Sequence, residues 1–86
     1  MSGLHVAVLM GGWSAERQVS LTSGAGVADA LERKGYRVTR IDMGRDVAAR
    51  LAEAAPDVVF NALHGTPGED GSVQGMMDLM GLKYTH

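Results

Sequence analysis

Short apolar runs alternate along the chain with segments of helical periodicity. Residues 6–10 form a continuous apolar run closed by two glycines, a pattern typical of a strand buried on both faces of a parallel sheet. A second strand is predicted at 36–41, where β-branched and aromatic residues alternate with polar ones. A third, mostly apolar strand is predicted at 58–63, and a fourth begins at 82–85.

Three helices are predicted between these strands. The first runs from about Ser20 to Lys34, and we interpret Ser20 as a helix-capping residue. Apolar or small residues recur on it at helical spacing and predict its inner face: Gly24, Val27, Ala28 and Leu31. The second covers 47–55 and is stopped by the proline that follows it, because a proline ring disfavours the helical conformation of the preceding residue. The third begins at Ser72 and carries an apolar stripe at helical spacing, which we assign to the core: Val73, Met76, Met77 and Met80.

The predicted order of elements, βαβαβαβ, indicates an α/β fold with a small open parallel sheet of about four strands flanked by helices, a Rossmann-like arrangement. In such sheets a ligand binds outside the carboxyl ends of the strands, where the strand order reverses. If the order is 2-1-3-4, that point lies between the first and third strands. The loops that leave these strands cover 11–17 and 64–71, the two most unusual segments of the sequence.

Composition and charge restrict the kinds of partner. With 86 residues, 45% of them hydrophobic and 21% charged, the chain is expected to form one globular domain, residues 1–86. A formal charge of -2 without a basic stripe argues against nucleic acid as a partner. The apolar run at 6–10 is too short for a membrane span and lacks the features of a signal peptide, so we expect no membrane association and a cytoplasmic location.

The glycine-containing loop after the first strand does not fit a dinucleotide fingerprint. With Gly11 as the first glycine, Trp13 and Glu16 occupy the positions of the second and third, and a carboxylate there would repel a pyrophosphate. Glu16 instead supplies a fixed negative charge suited to the ammonium group of a small amine or amino acid. On position alone, the favoured interpretation is an acid that complements a helix dipole, and the two neighbouring glycines shift the balance toward a ligand site.

The loop after the third strand holds further candidates. His64 directly follows an apolar strand and can donate a hydrogen bond to a carboxylate or exchange protons near neutrality, although it could also serve only its own loop. Glu69 could orient a neighbouring cationic or hydroxyl group, or it could be a solvated loop acid. We prefer the latter interpretation for Asp70.

Two long motifs resemble the amino-terminal domain of D-alanine:D-alanine ligases, which belong to the ATP-grasp superfamily. Residues 7–20 (AVLMGGWSAERQVS) are similar to the opening motif of that family, and residues 62–75 (ALHGTPGEDGSVQG) are similar to its third-strand loop and following helix. A third match, residues 80–85 (MGLKYT), lies where the family approaches its next domain. The resemblance covers nearly the whole chain.

The resemblance implies a reaction and a set of site residues. ATP phosphorylates the carboxylate of one D-alanine, and the amine of a second D-alanine attacks the acyl phosphate to give D-alanyl-D-alanine, ADP and phosphate. Glu16 matches the acid that holds the ammonium group of the first D-alanine, His64 matches the histidine beside that substrate, and Val19 matches an apolar contact. Glu69 matches a supporting loop acid. Relatives that join D-lactate or D-serine share this domain, so the second substrate stays open.

The same resemblance implies components that this sequence does not contain. ATP and Mg²⁺ (or Mn²⁺) would be bound by ATP-grasp domains of a longer, homodimeric enzyme of peptidoglycan synthesis, in which this chain is the pre-ATP-grasp domain. We expect the chain alone to bind neither cofactor and to form no dipeptide, since no segment cradles a triphosphate. Two rival hypotheses are a stand-alone Rossmann-like nucleotide-binding module and a receiver-like domain, which would need an aspartate where the first strand ends in Met10 and Gly11.

Overall fold

A computed structural model describes residues 4–12, 15–63 and 72–85. Three strands, β1 (His5–Gly11), β2 (Arg37–Met43) and β3 (Val58–Asn61), form a parallel sheet in the order β2-β1-β3. The helices are α1 (Arg17–Arg33), α2 (Val47–Ala54) and α3 (Ser72–Leu79). The predicted α/β fold with a small parallel sheet flanked by helices is confirmed.

The predicted fourth strand is reduced to a single bridge in the described part of the chain. Tyr84 pairs in parallel with Val59, through bonds from Val59 N to Lys83 O at 2.8 Å and from Thr85 N to Val59 O at 2.9 Å. The segment therefore lies beside β3, the position that the order 2-1-3-4 gives it. Within the described residues it pairs at only one position, so the sheet consists of three full strands and this bridge, which agrees with the prediction of about four strands.

The sheet is covered on both faces, which explains why its central strand is apolar throughout. Val6, Val8 and Met10 of β1 pack on the α1 side with Ala28. Ala7 and Leu9 point to the opposite side, where α2 and α3 supply further buried residues. These are Val47, Leu51, Val73 and Met77. Because side chains alternate between faces along a strand, burial of both faces requires an unbroken apolar run.

Helix α1 approaches β1 closely because of one glycine. A Cβ added at Gly24 would lie 2.5 Å from the Cβ of Met10, a distance that no side chain could accept without movement. Gly24 and Ala28 are both buried on this helix face. The small residues predicted for the inner face of the first helix are thus confirmed.

Several predicted boundaries change by a few residues. Helix α1 begins at Arg17, a turn earlier than predicted, so Ser20 lies inside the helix and is not its cap. Strand β3 ends at Asn61 rather than at residue 63. The end of α2 agrees with the prediction, since Ala55 leaves the helical conformation with φ 46° directly before Pro56.

The stripe on α3 is also confirmed as core. Val73 and Met77 are buried, and Met76 and Met80 are partly buried against the same cluster. No helix within the described ranges combines the length and the apolar character required to cross a bilayer.

Candidate active site

The candidate site lies at the carboxyl ends of β1 and β3. β1 is the central strand: the chain passes from it through α1 to β2 on one side, and then returns from β2 through α2 to β3 on the other side, so the direction of the strand order reverses here. Gly11 and Gly12 turn the chain away from β1, both with φ 85°. This left-handed conformation is one that residues with a Cβ rarely adopt, which explains the pair of glycines at the strand end. The predicted switch point between the first and third strands is confirmed.

Glu16 lies at the start of α1, on this same edge of the sheet. It occupies the position immediately before the first helical residue and is exposed. Its carboxylate makes no capping hydrogen bond to the helix, while its backbone carbonyl accepts a bond from Ser20 N at 3.1 Å. The side chain therefore does not cap the helix end.

Val19 is on the first turn of α1, three residues after Glu16. Residues three apart are neighbours on a helix surface, so the carboxylate and this valine border the same small area. Val19 is 53% exposed, as are two other large apolar side chains in the described residues, Leu4 at 39% and Leu79 at 92%. The structure thus brings together the two candidates that come from the first loop.

The candidates from the second loop, His64 and Glu69, lie outside the described residues. The chain is described up to Leu63, which is buried and whose backbone N donates to Asn61 Oδ1 at 3.1 Å. Ala62 is also buried, and its N donates to Leu9 O at 3.0 Å. These contacts show that the chain leaves β3 next to the carboxyl end of β1.

An ion pair that the sequence analysis missed holds the glycine turn on the β2 side. The guanidinium of Arg17 donates to both carboxylate oxygens of Asp42, at 2.7 and 2.6 Å, and to Gly12 O at 3.0 Å. The hydrogen bond from Arg17 lowers the pKa of Asp42 below its ordinary value, against a smaller opposing effect of burial. The pKa of Arg17 is raised by the same bond.

This pair also fills the space above Gly11. A Cβ at Gly11 would lie 2.4 Å from Asp42 Oδ1 and 2.7 Å from an Arg17 guanidinium nitrogen. Both oxygens of Asp42 are engaged with arginine, so this residue is not presented as the acid that binds a ribose in dinucleotide sites. The geometry adds to the sequence argument against that class.

Ser20 is the second residue whose role the sequence analysis misjudged. It is fully buried, accepts a hydrogen bond from Gly11 N at 2.9 Å and donates one to Ala62 O at 2.7 Å. A signal for this role exists in the sequence, because Ser20, Gly24 and Ala28 recur at intervals of four and so share one helix face. A serine on the face that packs against the sheet is a candidate for contact with the strands.

Fold and site together define an α/β domain with a candidate ligand site at the switch point of its sheet, where the exposed Glu16 precedes α1. The chain belongs to the family described as the D-ala D-ala ligase N-terminus, whose model matches residues 5–55 and 45–86.

Similar proteins agree with this assignment. The chain is 84% identical over 83 residues to a D-alanine–D-alanine ligase of Rhizorhabdus wittichii, covering 96% of this chain and 27% of the relative. It is 66% identical over 86 residues to the Sinorhizobium fredii D-alanine–D-alanine ligase, covering 100% and 28%. The chain thus spans about a quarter of the length of these relatives.

A solved structure shows the same fold. The D-alanine–D-alanine ligase of Bacillus anthracis, in a crystal structure complexed with ATP, superposes with a TM-score of 0.81 at 33% identity, covering 95% of this chain and 28% of that one. The expectation that residues 7–20 and 62–75 mark the amino-terminal domain of this family is confirmed.

Proposed function

We propose that this chain forms the first-substrate subsite of an ATP-dependent D-alanine–D-alanine ligase of peptidoglycan synthesis. The proposal is supported by the agreement of two independent observations, the family match and the position of Glu16. The family match identifies the domain, and the fold places an exposed carboxylate, Glu16, at the switch-point edge of the sheet.

Glu16 and Val19 provide complementary contacts for a small amino acid. The carboxylate suits the ammonium group, and a charge-assisted hydrogen bond between them is stronger than a neutral one. The exposed valine beside it suits a methyl side chain such as that of alanine. His64 and Glu69 would complete the site from the loop after β3: the histidine beside the substrate carboxylate, and the glutamate as support.

The proposed reaction proceeds through an acyl phosphate. The carboxylate oxygen of the first D-alanine forms a bond to the γ-phosphorus of ATP, and ADP leaves. The amine of the second D-alanine then attacks the acyl carbon, phosphate leaves, and the amine loses a proton. The contribution of this chain is to position the first substrate, and positioning alone can supply a large part of a rate enhancement.

ATP and its metal belong to other parts of the enzyme in this proposal. Among the residues that the structure describes, no group of three or more His, Cys, Asp or Glu side chains could hold a metal ion. The described residues therefore do not fit a Mg²⁺ or Mn²⁺ site. We assign ATP and the metal to ATP-grasp domains of the full-length protein, with which this domain would be in contact.

Three finer features of the proposal go beyond what residues 7–20 and 62–75 decide, and the first of them follows the substrate in the names of the similar ligases. They are D-alanine rather than D-lactate or D-serine as the second substrate, a homodimeric full-length enzyme, and a cytoplasmic location. Product analysis with each second substrate tests the first, sedimentation of the full-length protein tests the second, and fractionation of cells tests the third.

The substitution Glu16→Gln in the full-length enzyme tests the subsite. It removes charge at nearly constant volume, so kcat/KM for the first D-alanine should fall by roughly ten- to a hundredfold, while the KM for ATP stays nearly constant. Steady-state kinetics against D-alanine and ATP measure both.

A matched control makes this test specific. Glu53→Gln is the same chemical change at an exposed position on α2, distant in the chain from Glu16. It should leave kcat/KM for D-alanine and the KM for ATP unchanged. If Glu16 only complements the dipole of α1, Glu16→Gln should cost about 0.3 to 1 kcal/mol of stability with normal kinetics. Normal D-alanine kinetics in Glu16→Gln would contradict the assignment.

A further inference from the structure

The hydroxyl of Ser20 connects three elements at the edge of the candidate site. Within residues 4–12, 15–63 and 73–85, it is the one polar or charged side chain that belongs to a buried residue. Its oxygen accepts from Gly11 N of β1 at 2.9 Å and donates to Ala62 O, directly after β3, at 2.7 Å. Both bonds are buried, so water does not compete for them.

This hydroxyl takes the place of a rung in the sheet. The regular pairing of β1 with β3 ends at Leu9 and Asn61, and Ala62 N donates to Leu9 O at 3.0 Å. In a parallel ladder, the next bond would join Gly11 N directly to Ala62 O. Here the Ser20 oxygen lies between these two atoms. Two bonds in series span a longer distance than one direct bond, so Ser20 allows the ends of β1 and β3 to lie farther apart than a direct bond would, at the edge of the candidate site.

The same residue also fastens the helix turn that carries Glu16. Ser20 N donates to Glu16 O at 3.1 Å, which makes the two residues the ends of the first turn of α1. Any movement of Ser20 away from the strands would therefore move the first turn with it. The contacts of Ser20 set the position of this turn relative to the ends of both strands.

We propose that Ser20 is a positioning residue for the first-substrate subsite, acting by fixing the separation of the β1 and β3 ends and the placement, relative to them, of the helix turn that begins after Glu16. This inference rests on the proposed function. A purely structural serine, in contrast, would anchor α1 to the sheet and affect stability alone.

The test compares Ser20→Ala with two controls in the full-length enzyme. Ser23→Ala is the same chemical change at an exposed position on α1. Val47→Ala removes buried apolar volume on the face of the sheet opposite α1. It should therefore lower stability without changing the contacts of Ser20 or Glu16. For each protein, the Tm, the KM for the first D-alanine and for ATP, and hydrogen exchange of peptides covering residues 5–12 are measured.

For Ser20→Ala we expect the KM for the first D-alanine to rise about three- to tenfold, the equivalent of one buried hydrogen bond, with the KM for ATP unchanged. Exchange at residues 5–12 should increase more than in Val47→Ala. A variant with lowered Tm but normal D-alanine KM, like that expected for Val47→Ala, would overturn the inference.

The two proposals can fail separately. If the wild-type enzyme forms no D-alanyl-D-alanine, the proposed function fails. The exchange measurement then decides whether Ser20 holds the strand ends: greater exchange in Ser20→Ala than in both controls supports that role, and equal exchange contradicts it.

Discussion

Two polar connections hold the end of β1, one on each side, and they differ in almost every physical respect. On the β3 side, the buried hydroxyl of Ser20 bridges Gly11 N and Ala62 O. On the β2 side, the ion pair of Arg17 and Asp42 spans the turn, with side chains 44% and 50% exposed. The neutral bridge is closed off from solvent, whereas the charged one is open to it.

The comparison shows which connection determines the position of the turn. A buried donor and acceptor that lose their shared partner cannot turn to water, so the penalty is large. The charges of an exposed pair are solvated when they separate, and salt screens their attraction. The Ser20 bridge should therefore contribute more to stability, and the Arg17–Asp42 pair should add a smaller term that depends on pH and salt.

Gly11→Ala should have the largest effect because it disturbs the turn that both connections hold. Alanine at this position would have to adopt φ 85°, and its Cβ would force the side chains of Asp42 and Arg17 to move. We expect a loss of about 2 to 4 kcal/mol in the free energy of unfolding of the chain, measured in urea by circular dichroism.

Gly35→Ala is the matched control for that substitution. Gly35 has φ 93°, but nothing lies within 4 Å of its added Cβ, so it should show the backbone strain alone. Combining Gly11→Ala with Asp42→Ala should recover the part of the loss that arises from the close contact. Equal losses for the two glycine substitutions would contradict the role given to Asp42 and Arg17.

Ser20→Ala should have the second largest effect on stability. It leaves Gly11 N and Ala62 O without their shared partner, at a cost of about 1 to 3 kcal/mol in the free energy of unfolding. Ser23→Ala, on the exposed face of the same helix, should change stability by less than about 0.5 kcal/mol. If the loss in free energy of unfolding caused by Ser20→Ala varied with salt concentration, the Ser20 bridge would not differ from the exposed ion pair in the way described.

Asp42→Asn should have the smallest effect, and one that depends on pH. Because the folded-state pKa of Asp42 lies below its ordinary value of 3.8, its contribution is present above that pH and disappears as the pH falls through the folded-state pKa. The difference between wild type and Asp42→Asn in urea midpoint should therefore be present at pH 7 and vanish in strong acid. It should also shrink in 1 M NaCl, and a difference that persisted in acid would contradict the ion pair as its source.

The sequence predicts the fold well where its pattern is regular. Three such patterns were predicted to face the core, and all three do so in the structure: the unbroken apolar run of β1, the small residues on the inner face of α1 and the stripe on α3. The extent of the fourth strand could not be predicted, because an apolar segment indicates packing but not how many hydrogen bonds its backbone forms. The segment around Tyr84 packs against the core with a single bridge.

The site was predicted in part. Loop position and chemistry selected Glu16, His64 and Glu69, and the family resemblance added Val19. All four remain predictions as ligands of D-alanine. Arg17 was overlooked because its partner, Asp42, is 25 residues away in the chain. Such pairing depends on which strands become neighbours, and no local pattern contains that information.

The sequence by itself determined the α/β class, the edge of the sheet where chemistry is placed and the family resemblance, because these follow from periodicity, glycine placement and local motifs. Only the tertiary structure decided what Ser20 does. A serine near a helix start is locally equivalent to a cap, and its true partners, Gly11 and Ala62, are 9 and 42 residues away. Folding brings their backbone groups to one hydroxyl, because the sheet order places β1 beside β3 and α1 against them both.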